Sequence, residues 1–272
     1  MNRFNFKTVT LFFFILLMIM NLVHWFFFPC EKGVCGFFYH HGWVFYTLLI
    51  SFYLIVPFVF SFFPCSRFHT RNILCHGNGN EKWISITFDD GPDPLRTPQI
   101  LDILKKHSVP ACFFLIGKKI PGNELLVKRI FQEGHETGNH SYSHSHTWDF
   151  QLPRQIHRDL KKTEALVENI VHRKMGLFRP PYGVVNPMVE SAVRHAQYTM
   201  VAWSIRSFDT LSNDEDKLVG RITKKLKPGD IVLLHDDRQI TVNCLEKLIV
   251  AIREKGFQTV SLEKLLKIPA YV

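Results

Sequence analysis

The sequence is short of the features that mark several broad classes of protein. It has 6 cysteines in 272 residues, too few and too scattered for a fold built on disulfides. Runs of Lys or Arg never exceed two residues and no zinc-finger spacing is present, so we expect no nucleic-acid partner. With 46% hydrophobic and 21% charged residues, the chain is able to bury a core, which excludes a disordered or fibrous protein.

Charge is also scarce in one part of the chain. Residues 1–75 contain 17 of the 25 Phe, but only five of the 33 Lys and Arg and one of the 24 acidic residues. Residues 76–272 carry 28 basic and 23 acidic residues, a net charge of +5 on the same count. The sequence therefore predicts an apolar segment, 1–75, followed by a domain of ordinary composition, 76–272.

Two uncharged runs in the apolar segment are long enough to cross a membrane. Residues 9–28 and 43–63 give runs of 20 and 21 residues, and about 20 helical residues cross a hydrocarbon core of about 30 Å. A cleaved signal peptide is the alternative for the first run. That run exceeds the usual apolar region of about 7 to 15 residues, and no cleavage site of small residues follows it. We expect a transmembrane hairpin in a multi-pass protein of the cell membrane, with the lipid bilayer as a partner.

The charges beside the two runs predict an orientation. Basic residues precede the first run and follow the second, whereas the connection 29–42 carries one Lys and one Glu. By the positive-inside bias, both termini and the C-terminal domain would face the cytoplasm. Cys30 and Cys35 lie in the connection and could pair in an oxidising compartment, whereas Cys112 and Cys244 are expected to be small buried hydrophobes.

Short apolar runs alternate with amphipathic stretches in residues 76–272. The predicted strands are 83–88, 111–116, 134–137, 197–203 and 230–234. The predicted helices are 98–107, 124–133, 154–171, 187–195, 214–226, 241–255 and 262–267. This alternation predicts an α/β fold in which helices cover a parallel sheet. About 190 residues are few for a complete eight-fold barrel, so we expect a distorted, incomplete one.

Five polar motifs follow the ends of predicted strands. Since parallel strands end at one edge of a sheet, these motifs are expected to meet there. The motifs are TFDDGP (87–92), GNHSYSH (138–144), RPPYG (179–183), SFD (207–209) and LLHD (233–236). Each motif alone is as consistent with a structural turn as with a functional site, but their conjunction at strand ends favours a function.

The first two motifs supply groups that suit a metal site. Asp89 and Asp90 are adjacent carboxylates, so one is able to bind a metal while the other faces a reacting water. His140 and His144 are four residues apart and share a face if the segment is helical. Two imidazoles and one carboxylate leave a coordination position open, as in catalytic zinc sites. We interpret His146 as a residue that lies beside the metal site and does not bind the metal.

The remaining motifs supply groups for proton transfer. Arg179 is able to tether a carboxylate through a bidentate hydrogen bond, and backbone N–H groups after the two prolines are able to face a developing oxyanion. His235 ends a predicted strand, and Asp209 follows the strand before it. A carboxylate next to a histidine favours its protonated form, which suits a general acid.

Taken together, these motifs resemble those of the NodB-like polysaccharide deacetylases, the fourth carbohydrate esterase family, over residues 82–266. The resemblance implies a distorted barrel that binds one divalent metal, usually zinc, and hydrolyses N-acetyl groups of amino sugars. It implies the following roles: Asp89 as general base, Asp90, His140 and His144 as metal ligands, Arg179 as the tether of the base, Tyr182 as the source of an oxyanion-binding N–H, Asp209 as the partner of the general acid His235, and Leu233 as a wall of the acetyl pocket.

The chain departs from the family pattern at two positions. Ser145 stands where the family usually has Pro, which affects a turn. Thr210 stands where the family usually has Trp, which removes a wall of the pocket. The identities of the acyl group and of the sugar are therefore not determined by the resemblance. Trp203 could fill the gap.

Four functions remain possible from the sequence. The leading one is metal-dependent N-deacetylation of a membrane-associated glycan or lipid-linked amino sugar. A deformylase acting on a polyprenyl-linked amino sugar would use the same groups with a smaller acyl pocket. An inactive carbohydrate-binding module or a membrane scaffold would need no pair of acid and base, so the motifs favour an enzyme.

Overall fold

The structure, a computed structural model, describes residues 5–27 and 33–272. It contains two compact units, Met1–Arg71 and Asn72–Val272, called the N-terminal unit and the C-terminal unit.

The N-terminal unit contains two long apolar helices, α1 (Phe6–Phe27) and α2 (Gly33–Ser61). The segments Phe6–Val23 and His41–Ser61 have mean hydropathies of 2.2 and 2.1, and only 6% and 11% of their residues are buried. A core helix of a water-soluble domain would bury one face. By length and composition, both helices are therefore able to cross a membrane.

The helices run antiparallel and contact each other along their length. The rings of Phe13 and Tyr53 stack with centroids 4.2 Å apart. The Tyr53 hydroxyl lies 3.3 Å from the hydroxyl of Thr10, and at the other end the Tyr46 hydroxyl donates to Asn21 over 3.4 Å.

The second helix begins earlier than the apolar run predicts. Most of the predicted connection 29–42 is helical, because α2 starts at Gly33. Cys30 lies outside the described residues, as does the side chain of Cys35, so their predicted pairing stays a prediction.

The other cysteines divide into two kinds. Cys112 and Cys244 are free thiols with no exposed surface, which confirms the prediction that they are buried. Cys65 and Cys75 are each disulfide-bonded, a state that the sequence analysis does not predict.

The C-terminal unit is built on a curled sheet in which the named strands pair in parallel. The strands are β1 (Ile73–Leu74), β2 (Trp83–Gly91), β3 (Ala111–Leu115), β4 (Glu136–Asn139), β5 (Leu177–Phe178), β6 (Thr199–Val201), β7 (Ile205–Arg206), β8 (Ile231–His235) and β9 (Gln258–Thr259). Their order in the sheet is β1-β6-β5-β4-β3-β2-β8-β7, and β9 pairs with β2. The strand path is open, so the expected incomplete barrel is confirmed as a curled half-barrel.

Helices cover both faces of this sheet. They are α3 (Thr97–Lys106), α4 (Glu124–Gln132), α5 (Pro153–Val171), α6 (Pro187–Ala196), α7 (Glu215–Lys225), α8 (Gln239–Glu254) and α9 (Leu262–Leu266). Each agrees with its predicted helix to within two residues, because amphipathic periodicity marks these elements clearly. The two-residue strands β1, β7 and β9 were not predicted, since they are too short for a recognisable apolar run, and β5 was predicted only as a strand without stated bounds that ends before Arg179.

Both faces of the sheet are buried, as expected of a parallel sheet. Along β3, Ala111, Phe113 and Leu115 join the main core, while Cys112 and Phe114 join a second cluster with residues of the C-terminal segment. Successive side chains of a strand point to opposite faces, so β3 contributes to both clusters. Among the buried polar residues, Asp89, His140 and Arg179 lie at or just after the carboxyl ends of strands.

Candidate active site

The end of β2 presents two adjacent carboxylates to the same space. The pairing of β2 with β3 shifts its register between Asp89 and Gly91, and Asp90 adopts a left-handed backbone with φ 73°. This bulge breaks the alternation that would send neighbouring side chains to opposite faces. Gly91 is required by close packing, because a Cβ there would overlap the carboxylate of Asp236.

Asp90, His140 and His144 converge as the sequence predicts. The Asp90 Oδ1 atom lies 3.2 Å from His144 Nε2 and 3.6 Å from His140 Nε2, and the three ligand atoms lie within 4.8 Å of one another. Metal bonds of about 2.1 Å at tetrahedral angles hold ligand atoms about 3.4 Å apart. Asp90 Oδ1 is buried and has no hydrogen-bond partner among the described residues. The three atoms therefore fit one divalent ion.

The expected reason for the histidine pairing is wrong. Residues 140–144 are not helical; the two rings meet, with centroids 4.9 Å apart, because a loop folds back on itself. Ser141 and His144 have φ values of 66° and 44°, and the hydroxyl of Ser141 accepts a hydrogen bond from the His144 N–H. Asp159 of α5 supports the same loop, since its carboxylate accepts the N–H groups of Tyr142 and Ser143.

Each histidine is prepared to offer its Nε2 atom. His140 Nδ1 lies 2.7 Å from the carbonyl oxygen of Arg179, to which it donates, and this bond leaves Nε2 as the unprotonated nitrogen. Burial, aided by the charge of His140, lowers the pKa of His144 to about 4. His144 is therefore neutral at pH 7, as a metal ligand must be.

Cationic groups keep the neighbouring carboxylate ionised. Burial alone would raise the pKa of Asp90, but the charges of nearby histidines, His140 foremost, and of Lys119 hold it below its ordinary value. Lys119 also donates to the backbone carbonyl of Asp90 over 2.6 Å. The cluster thus combines a carboxylate oxygen with two imidazole nitrogens, a set that suits zinc.

Arg179 fixes Asp89 beside this cluster. Its guanidinium is fully buried and donates to Asp89 Oδ1 over 2.7 Å and to the hydroxyl of Thr87 over 2.8 Å. It also donates to the carbonyls of Val201 and Ala202. The second Asp89 oxygen, Oδ2, lies 3.8 Å from His140 Nε2. One oxygen of Asp89 is therefore tethered while the other faces the metal ligands.

His235 and Asp209 form a second pair next to Asp89. His235 is the register partner of Asp89 on the adjacent strand β8, and its Nδ1 lies 2.8 Å from Asp209 Oδ1. The other Asp209 oxygen accepts the His235 backbone N–H and the hydroxyl of Thr241. Burial alone would lower the pKa of His235, but the hydrogen bond and charge of Asp209 outweigh it and raise that pKa to about 9. His235 is therefore protonated at neutral pH.

The other predicted residues surround this centre. Tyr182 lies in the turn Pro181–Gly183 with φ 57°, and its ring is 4.8 Å from that of His144. Leu233 is buried on β8. Trp203 packs under the turn, since a Cβ at Gly183 would come within 2.5 Å of its ring.

Three supporting residues escaped the sequence analysis. Asp159 and Thr241 lie within helices and reach the site only through the fold, so no local pattern marks them. Lys119 lies in the loop after β3, where its position at a strand end could have suggested a role.

Comparison with known proteins identifies the family. The family model described as polysaccharide deacetylase matches residues 76–201. A peptidoglycan-N-acetylglucosamine deacetylase of Bacillus cereus is 38% identical over 193 residues, which are 69% of this chain and 90% of that protein. The chain belongs to the polysaccharide deacetylase family. It is accordingly a hydrolase of non-peptide amide C–N bonds.

Solved structures share the fold of this polysaccharide deacetylase. The crystal structure of a peptidoglycan N-acetylglucosamine deacetylase has a TM-score of 0.68 at 31% identity, covering 73% of this chain and 94% of that one. A CE4 family pseudoenzyme from Bacillus anthracis has a TM-score of 0.67 at 30% identity, covering 71% of this chain and 68% of that one. Likeness of fold therefore extends to both active and inactive proteins, and the side chains must distinguish them.

Proposed function

We propose that this chain is a metal-dependent N-deacetylase that removes acetyl groups from amino sugars of an envelope glycan such as peptidoglycan. The observation that supports this most strongly is the cluster of Asp90, His140 and His144 with Asp89 and His235 on adjacent strands beside it. An inactive module would need neither a carboxylate held by a buried arginine nor a histidine kept protonated. Relatives named for peptidoglycan deacetylation suggest the substrate.

The three ligands would hold one divalent ion, which we propose is zinc. Bound there, the ion would polarise the amide carbonyl and acidify the attacking water. Asp89 acts as the general base through its untethered oxygen, because Arg179 holds the other oxygen and keeps the carboxylate oriented.

His235 acts as the general acid. Its protonated imidazole donates a proton to the departing amine, and Asp209 favours the charged form. The backbone N–H of Tyr182 helps bind the oxyanion, and Leu233 walls the acetyl pocket. Acetate and a free amino sugar result.

We propose further that residues 1–75 are a membrane hairpin, with α1 and α2 as its spans, and that the deacetylase domain, 76–272, faces the outside of the cell. Cys65 and Cys75 are disulfide-bonded, and disulfides form in oxidising compartments whereas cytoplasmic thiols stay reduced. The flanking charges favour the opposite orientation. We give the disulfide-bonded state of these two cysteines more weight because the charge difference rests on few residues.

The activity is tested with the full-length chain, purified in detergent and loaded with zinc. Peptidoglycan fragments, N-acetylglucosamine oligomers and a formylated, polyprenyl-linked amino sugar are supplied, and acetate and formate are measured. We expect acetate from the N-acetylated glycans. Formate alone would identify a deformylase, and glycan binding without release of either acid would identify an inactive module.

The orientation is tested by labelling intact cells with a membrane-impermeant thiol reagent. A cysteine added after Val272 is expected to react. The matched control carries a cysteine between the two helices, in a chain whose Cys30 and Cys35 are replaced by Ser, and is expected to stay unlabelled. The reverse pattern would place the domain in the cytoplasm.

A further inference from the structure

His146 and Tyr182 form a stacked pair at the rim of the metal cluster. Their ring centroids are 5.6 Å apart with an interplanar angle of 20°, and Tyr182 Oη lies 3.0 Å from His146 Nδ1. Both side chains are exposed, Tyr182 by 49%. Since the Tyr182 ring also contacts the His144 ring at 4.8 Å, the pair extends outward from the cluster, with His146 farther from it.

The backbone at His146 is anchored on both sides. His146 lies between His144, which belongs to the cluster, and Trp148, which is buried and donates from its indole to Asp159 over 2.9 Å. The Trp148 N–H also donates to the carbonyl of Ser145, which closes a turn around His146. Binding of a ligand at His146 therefore requires little further ordering of the backbone.

The pair has the chemistry of a sugar-binding surface. The Tyr182 hydroxyl lies within hydrogen-bond distance of His146 Nδ1, so Nε2 is the ring nitrogen of His146 that stays open to a ligand. This nitrogen is able to form a hydrogen bond with a sugar hydroxyl. The exposed ring faces are apolar and suit the C–H face of a pyranose, as aromatic side chains with a polar handle do in binding sites.

We propose that His146 is a specificity residue that, with the Tyr182 side chain, binds the pyranose next to the one being deacetylated. This inference rests on the proposed function and deepens it, because it predicts a preference for oligomers over single sugars. His146 orients the Tyr182 ring through the hydrogen bond and contacts the second sugar through Nε2. His146 directly follows Ser145, a position where the chain departs from the family pattern.

The test compares variants of the zinc-loaded full-length chain on N-acetylglucosamine oligomers of two to five sugars. His146→Ala and Tyr182→Phe each remove the hydrogen bond, and each is expected to raise KM for the longest oligomer about threefold to tenfold. The double variant should be no worse than the more affected single variant, since both changes break one interaction. His146→Asn retains an acceptor near the Nδ1 position and should recover part of the loss.

The matched control is His195→Ala, an exposed histidine on α6, which is expected to leave KM unchanged. In His146→Ala, kcat should fall less than KM rises, and zinc content should stay at the wild-type level. An unchanged KM for the pentamer, an effect equal at every oligomer length, or a loss of zinc would each overturn the assignment.

Failure of the proposed function is distinguishable from failure of this inference. If the wild-type chain releases no acetate, calorimetric binding of the same pentamer still compares wild type with His146→Ala. Weaker binding by the variant supports the sugar contact without catalysis, and equal binding refutes it.

Discussion

The Asp209→Asn substitution tests how the structure keeps His235 protonated. The carboxylate of Asp209 accepts three hydrogen bonds, two of them from His235. With it in place, the pKa of His235 is raised to about 9. An amide at position 209 removes the charge while burial persists, so that pKa should fall toward its ordinary value of about 6.5.

The size of the effect follows from the protonated fraction of His235. At pH 8 a group with a pKa of 9 is about 90% protonated, whereas one with a pKa of 6.5 is about 3% protonated, so kcat/KM should drop about 30-fold. At pH 6 both groups are mostly protonated, and the loss from this cause is less than about twofold. Because the protonated form of His235 is the active one, lowering its pKa shifts the high-pH limb of the kcat/KM profile to lower pH. A bound cation would lower the pKa of His235 in both the wild type and the variant. The variant would still have the lower of the two values.

The assay is acetate release by wild type and variant across pH 5.5 to 9.5. Asp216→Asn is the matched control, since it makes the same change of charge on a side chain that is 76% exposed, and its profile should match the wild type. Thermal unfolding checks that the variant is folded. A loss of the same size at every pH, or a high-pH limb that does not move, would refute this role of Asp209.

Two further changes separate chemistry from structure. Asp89→Asn should keep the metal but lose about 10²-fold or more in kcat, because the base is gone while the ligands stay; metal analysis and acetate release check this, and surviving activity would reassign the base. Gly91→Ala should destabilise the C-terminal unit by about 1 to 3 kcal/mol, since the new Cβ overlaps Asp236. Denaturant unfolding measures this against Gly220→Ala, where nothing lies within 4 Å of the new methyl group, and equal stability of the two variants would contradict the packing argument.

The parts of the fold that local pattern specifies were predicted well. The helices of the C-terminal unit repeat apolar residues at helical spacing, so their ends agree closely with the prediction. Strands β3 and β8 are buried along most of their length and read as continuous apolar runs. Strand β5 has two residues, Leu177 and Phe178, and its pairing with β4 and β6 depends on distant residues. Its existence was predicted from the RPPYG motif that follows it, but no apolar run gave its bounds.

In the candidate site, too, some features follow from local sequence patterns and others depend on distant residues. The carboxyl ends of strands in a parallel sheet meet at one edge. The sequence alone therefore predicts that Asp90, His140 and His144 lie close together. Helical spacing was the wrong reason for the histidine pair, since a loop with two left-handed residues aligns it. The support from Asp159 and Thr241 is set by helix packing, which one sequence does not display.

The need for a bound metal is measured most directly by titrating zinc into the chelated full-length chain while following acetate release from an N-acetylglucosamine oligomer. Activity should be absent after chelation and return in proportion to zinc, reaching its maximum at about one ion per chain, as a site with Asp90, His140 and His144 requires. The same titration of His140→Ala should restore nothing. Full activity in the chelated wild-type chain, or an equal recovery in His140→Ala, would contradict a metal centre at these three residues.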